Sequence, residues 1–178
     1  DDVARFRREA GALSRLRHPG LIQVFEVGEH DGRPFIVMEL VEGESLETRL
    51  RRGVLAEHEW LDIARQTLAA LAEVHRRGVV HRDLKPANIM LASTGIKVID
   101  FGFAADATAR TENTGEVLGT FAYAAPEQLG ILKRIVDARA DLYALGALLF
   151  EAATGRAPFV AATVAELFDR LLSTPVPD

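Results

Sequence analysis

Val3, Phe6, Ala10, Leu13 and Leu16 recur at intervals of three and four, which predicts an amphipathic helix from about Val3 to Leu16, ending before His18-Pro19-Gly20. The pattern then changes. Leu21 to Glu29 and Pro34 to Leu40 are rich in Val, Ile and Phe, and His30-Asp31-Gly32-Arg33 lies between them, so an antiparallel hairpin is expected. The run Val37-Met38-Glu39-Leu40-Val41-Glu42-Gly43 passes from apolar to polar. Ser45 is placed to cap a short helix reaching about Arg52, with Glu47 early and Arg51-Arg52 late, as the helix dipole favours. A longer helix follows from about Glu57 to Arg77, carried by Leu61, Ala64, Leu68, Leu71 and His75 and stopped by Gly78. Trp60 and His75 read as core or boundary residues. Ile89 to Leu91 and Ile96 to Ile99 predict two short strands, with Ser93-Thr94-Gly95 turning between them. Asp137 to Thr154 leaves little polar face and predicts a central buried helix, ended by Thr154-Gly155; Val164 to Leu172 begins another before Pro175 and Pro177.

Chemistry enters where the pattern is interrupted. His81-Arg82-Asp83-Leu84-Lys85-Pro86-Ala87-Asn88 and, after the strand pair, Asp100-Phe101-Gly102 put polar groups into a segment that otherwise reads as buried. The hairpin returns the chain so that Asp100 comes back beside Asn88. Those oxygens suit a hard divalent cation and leave Asp83 free to face a substrate. Asp141 is the polar exception in its helix, and a buried carboxylate must be hydrogen-bonded.

Composition narrows the classes. The 178 residues suffice for one domain with an ordinary apolar fraction. There is no cysteine for a disulfide framework or a thiolate metal site, and no apolar run approaches the length of a membrane span. The formal net charge of -5 argues against a nucleic-acid partner, because counterion release needs a concentrated basic surface. A cytoplasmic protein with no membrane partner is expected.

These motifs resemble a family, the eukaryotic-type (Hanks-type) serine/threonine protein kinases: His81 to Asn88 resembles H-R-D-L-K-P-x-N, Asp100-Phe101-Gly102 resembles D-F-G, and Ala125-Pro126-Glu127 resembles A-P-E, in that order. The resemblance implies an α+β, bilobal kinase-like fold, with residues 1–40 as a remnant of the small lobe and hinge (the C-helix and two strands) and residues 41–178 as most of a mainly helical large lobe. It implies ATP and Mg2+ as cofactors and a protein substrate. Asp83 would orient the substrate hydroxyl and accept its proton late, Lys85 would neutralise the phosphoryl group, and Asn88 and Asp100 would hold the metal. Thr120 would hydrogen-bond Asp83 and Lys85. Glu9 would pair with the ATP-binding lysine. Met38 would be the gatekeeper, the backbones of Glu39 and Val41 would meet the adenine edge, and Met90 would form its floor. His81, Phe101, Glu127 and Asp141 take structural parts, Asp141 by gripping the backbone of the loop. Arg82 implies control by phosphorylation between Gly102 and Gly119, with Thr111 or Thr114 favoured over Thr108. The stretch Gly130-x-x-x-Arg134-x-x-Asp137-x-Arg139-x-Asp141-Leu142-Tyr143 resembles bacterial kinases fused to ATPase and sensor modules.

The 178 residues carry neither the glycine-rich flap nor the strand lysine of that family. Two or three charge-assisted contacts at about 1.5–3 kcal/mol each would be lacking, roughly 10²- to 10⁶-fold in rate or binding. Little activity is therefore expected of these residues by themselves, as a piece of a longer kinase. The alternatives are a pseudokinase serving as a binding module and a small-molecule phosphotransferase. An unpaired edge on the first hairpin and exposed apolar surface on the large lobe are also expected.

Overall fold

The computed structural model describes residues 11, 14–31, 33–101, 119 and 121–177. Most of the helix expected from Val3 to Leu16 lies outside these; Gly11 is helical and Leu16 is buried. Strands β1 (Val24–His30) and β2 (Arg33–Met38) pair antiparallel, in the register Val27 to Ile36 and His30 to Arg33. The hairpin is the one its Val, Ile and Phe content predicts. Among the described residues it stays two-stranded, so β1 has one unpaired edge.

A second sheet, in the order β3-β4-β5, contains β3 (Gly43–Ser45), β4 (Ile89–Ala92) and β5 (Gly95–Val98). The β4–β5 hairpin matches the sequence expectation, and Gly95 takes φ +121, which a side chain would strain. Strand β3 was not expected: Gly-Glu-Ser has no apolar alternation, and it forms because Gly43 lets its backbone lie against Ala92 and Leu91. The two sheets are tied together at Val98, which accepts the Ile22 N–H at 3.0 Å and donates its own N–H to the Gly20 carbonyl at 2.9 Å.

Helix α1 (Leu46–Leu50) starts at Ser45, whose hydroxyl accepts the Thr48 N–H at 3.1 Å, and stops a residue or two before the expected end at Arg52. Helix α2 (Glu57–Arg76) opens with the Glu59 carboxylate accepting the Ala56 N–H at 2.9 Å and ends before Gly78, at φ +71. Its buried face keeps Ala64 and Leu71 of the expected stripe and corrects the rest. Ile63, Ala64, Thr67, Ala70, Leu71 and Val74 point inward, whereas Leu61 and Leu68 are 47% and 46% exposed. Both sets obey a three-or-four spacing, and the inward one carries the small side chains that let α2 pack on β5 and on α3 (Ala138–Thr154).

Helix α3 begins at Asp137, whose carboxylate accepts the Arg139 N–H at 2.9 Å, and ends at Gly155 with φ +80. It is less enclosed than expected, since Leu142 is 48% exposed; the inward face is Ala140, Asp141, Ala144, Leu145, Ala147, Leu148 and Ala152. Helix α4 (Val164–Ser173) is capped by Thr163 and buries Leu167. The core gathers Leu21, Leu46, Leu71, Val74, Leu84, Ile89, Val98, Phe101, Leu145 and Leu148, and so lies directly beneath the His81 to Asn88 loop. No helix among the described residues is long and apolar enough to cross a membrane.

Candidate functional site

The loop begins where Gly78 releases the chain from α2, and its backbone is held by side chains from elsewhere in the fold. Arg82 has φ +66, a conformation that costs a non-glycine residue about 1–3 kcal/mol. Asp141, 1% exposed on α3, offsets that cost: one carboxylate oxygen accepts the His81 N–H and the other the Arg82 N–H, each at 2.9 Å. The His75 Nε2, from the last turn of α2, donates to the same carboxylate at 2.6 Å. The Arg82 carbonyl accepts from Gln128 Nε2 at 2.7 Å. The sequence marks His75 as a core or boundary residue and carries no expectation for Gln128. The signal for His75 was available: a buried carboxylate needs several donors, and a histidine ending the preceding helix is one.

His81 is fully enclosed, and burial pushes its imidazole below the ordinary range, against the opposing pull of Asp141, the Ile99 carbonyl, Asp83 and Asp100. Its hydrogen bonds agree with a neutral ring. Nε2 must donate, because its partner 2.9 Å away is the Ile99 carbonyl; Nδ1 must accept, because its partner at 3.2 Å is the Asp83 N–H. Phe101, 5% exposed, lies against the ring with centroids 4.4 Å apart. His81 thus connects Asp83 to the segment that leads into Asp100.

On this frame Asp83, Lys85 and Asn88 come together. The Asp83 Oδ2 is 3.1 Å from Lys85 Nζ and 3.2 Å from Asn88 Nδ2. Asn88, 5% exposed, also donates to the Asp83 carbonyl at 2.8 Å. Pro86 opens the 3-10 turn Pro86–Asn88, which the Asn88 N–H closes onto the Lys85 carbonyl at 2.9 Å. The Ile99 N–H reaches the Asn88 carbonyl at 3.0 Å, so β5 delivers Asp100 next to Asn88. Asp100 is exposed and takes φ +50, a second left-handed non-glycine residue.

These donors fit a hard cation. With Nδ2 committed to Asp83, the Asn88 Oδ1 accepts no bond from a described residue, and the Asp100 carboxylate stands open to solvent. Among the described residues no three histidine or acidic side chains form an all-protein cage. One or two protein oxygens completed by phosphate and water is the arrangement magnesium prefers.

The remaining expected residues are spread around this centre. Met38, 38% exposed, ends β2, and Val41 is half-buried in the link to β3. The Glu39 side chain turns inward, accepting from the Gln23 N–H at 3.0 Å and from Lys97 at 2.6 Å, and its own N–H donates to the Gln23 carbonyl at 2.9 Å. Met90, in β4, pairs with Ser45 on one side and Lys97 on the other. Glu127 is half-buried beside the loop that Gln128 anchors. Tyr123 donates its hydroxyl to Glu151 on α3, and burial followed by that bond raises its pKa. Glu9, Gly102, Thr108, Thr111, Thr114 and Thr120 lie outside the described residues.

A mixed fold anchors an Asp-Lys-Asn loop from a buried helix, and a hairpin returns a second Asp beside it. The chain belongs to the protein kinase family: the family profile described as "Protein kinase domain" matches residues 1–174. It is 40% identical over 178 residues to the serine/threonine-protein kinase PknL of Mycobacterium tuberculosis, a match covering 98% of this chain and 44% of that protein. It is 42% identical over 160 residues to the serine/threonine-protein kinase PrkC of Bacillus subtilis, covering 88% of this chain and 24% of that one. Among solved structures it resembles the PknI kinase domain of M. tuberculosis, with a TM-score of 0.74 at 32% identity over 92% of this chain and 60% of that one. Rad53 in complex with AMP-PNP gives a TM-score of 0.76 at 29% identity, over 93% and 42%. The chain therefore spans less than half the length of these two curated relatives.

Proposed function

We propose that the protein to which these residues belong transfers the γ-phosphoryl group of ATP to serine or threonine hydroxyls of other proteins. The observation that carries this reading is the Asp83 carboxylate, held 3.1 Å from an ammonium and 3.2 Å from a carboxamide on a loop that Asp141 fixes from behind. Asp83 orients the incoming hydroxyl and takes its proton. Lys85 follows the charge on the phosphoryl oxygens as it moves between donor and acceptor. Asn88 and Asp100 are the residues that would hold magnesium, which when bound would neutralise phosphate charge. Met38, the backbones of Glu39 and Val41, and Met90 would border the adenine, and Glu9 and Thr120 would complete the lysine pair and the Asp83 contact. Arg82 is the proposed receiver of a phosphate on Thr111 or Thr114. Residues 1–40 would form small lobe and hinge, and 41–178 the large lobe. Low activity of these 178 residues by themselves belongs to the same reading, because the sequence has no glycine-rich flap or strand lysine.

The experiment follows labelled γ-phosphate from ATP with magnesium onto a general protein substrate, using the complete coding sequence with and without Asp83→Asn. A fall of about 10²- to 10⁴-fold at unchanged melting temperature is expected. Label appearing on an aminoglycoside rather than on Ser or Thr, or transfer indifferent to the substitution, would refute the reading.

A further inference from the structure

We infer that Gln128 is a positioning residue that fixes the Arg82–Asp83 peptide plane and couples it to the Ala125-Pro126-Glu127 turn. This rests on the proposed transfer reaction for its kinetic consequence, though not for its structural one. The carboxamide of Gln128 is half-buried and has one workable orientation. Its Nε2 donates to the Arg82 carbonyl at 2.7 Å, and its Oε1 accepts the Ala125 N–H at 3.1 Å; a backbone carbonyl can only accept and a backbone N–H can only donate.

The plane it holds is an unusual one. Arg82 stands at φ +66, so this peptide sits in a conformation that an unrestrained chain would leave. Asp141 fixes the preceding plane through the Arg82 N–H, and His81 Nδ1 takes the Asp83 N–H at 3.2 Å. Gln128 holds the opposite end of that second plane. Rotation of the plane would swing the Asp83 side chain, and the Gln128 Nε2 bond resists it from the carbonyl side. The other half of the same amide is tied to the turn before α3. Movement of the residue 125–128 turn is therefore transmitted to Asp83 through one side chain.

Two substitutions separate the bonds. Gln128→Glu keeps an oxygen for the Ala125 N–H but sets a carboxylate oxygen against the Arg82 carbonyl, and Gln128→Met removes both bonds at similar volume. Amide exchange at Arg82, Asp83 and Ala125, kcat, KM for ATP and melting temperature are all read in the complete protein. With Gln128→Glu, faster exchange at Asp83 than in wild type, retained protection at Ala125, and a kcat lower by about ten- to a hundred-fold at unchanged KM for ATP are expected. With Gln128→Met, protection should be lost at Ala125 as well. Unchanged Asp83 exchange in both variants overturns the inference, as does a uniform gain of exchange with a lower melting temperature, which would mark a general packing role. If wild type transfers no phosphate, the functional reading fails and the exchange pattern alone decides the coupling.

Discussion

Thr67 is fully buried in α2, and its hydroxyl has no hydrogen-bond partner among the described residues. An unsatisfied buried hydroxyl costs about 1–3 kcal/mol, and valine has nearly the same shape without it. Thr67→Val should therefore stabilise the chain by about 1 kcal/mol or more in urea unfolding; a loss of stability would mean the hydroxyl has an undetected partner. His81 carries a pH dependence of opposite sign to a stabilising cation. Burial lowers its folded pKa, so below about pH 6.5 the unfolded chain gains a proton that the folded chain refuses. Stability then falls as pH drops from about 6.5 towards the folded pKa, by at most about 1.4 kcal/mol per pH unit, and this contribution is flat above pH 7.5. Denaturant titrations at pH 7.5 and 5.5 check this, with His81→Gln expected to show the smaller loss; equal losses would contradict it. Residues whose chemistry is unusual in an apolar segment, Asp83, Asn88 and Asp141, could be picked out from sequence. Gln128 could not, because its partners are backbone groups whose positions depend on a left-handed Arg82 46 residues earlier in the chain.

Among the elements, strand β3 depends on a single missing side chain. A Cβ on Gly43 would lie 2.1 Å from the Leu91 carbonyl oxygen, and that backbone belongs to the strand leading from Asn88. Gly43→Ala should break the β3–β4 pairing and destabilise by about 1–3 kcal/mol. Gly146→Ala, inside α3 with nothing within 4 Å, should be neutral or stabilising instead. Paired thermal melts decide it, and equal costs would show that the close approach is relieved by a backbone shift. Both hairpins, and the spans of α2 and α3 to within a residue or so, were legible because periodicity and caps act locally. The inward face of α2 was legible only at Ala64 and Leu71: Leu61 and Leu68 satisfy the same spacing as Ile63, Ala70 and Val74, and the partner helix and β5 select between the registers. A three-residue polar strand such as β3 leaves no pattern at all.

At the scale of the molecule, the fold brings distant stretches to bear on one loop. Asp141 from α3, Gln128 from the turn before α3 and Ile99 after β5 all bond to residues 81–82, and His75 from α2 bonds to the Asp141 carboxylate that holds them. The overall architecture was legible because three motifs occur in one order, and their order fixes which segments must meet. What their letters do not specify is how the loop is held, which depends on long-range hydrogen bonds. The expected unpaired edge is present on β1 among the described residues, and Leu61, Leu68 and Leu142 expose apolar surface on the helical part.

In the proposed reaction Asp83, Asn88 and Asp100 face one volume in which a divalent cation and a phosphate can meet. Manganese, a paramagnetic substitute for magnesium, titrated with ADP into isotopically labelled protein, tests it by the nuclei it broadens. The side-chain amide of Asn88 and the backbone amides of Asp83, Asp100 and Phe101 should broaden first, and Asp100→Ala should weaken the effect. Broadening that begins instead at the exposed Glu57 and Asp62 end of α2, and leaves Asn88 sharp, would contradict the shared site.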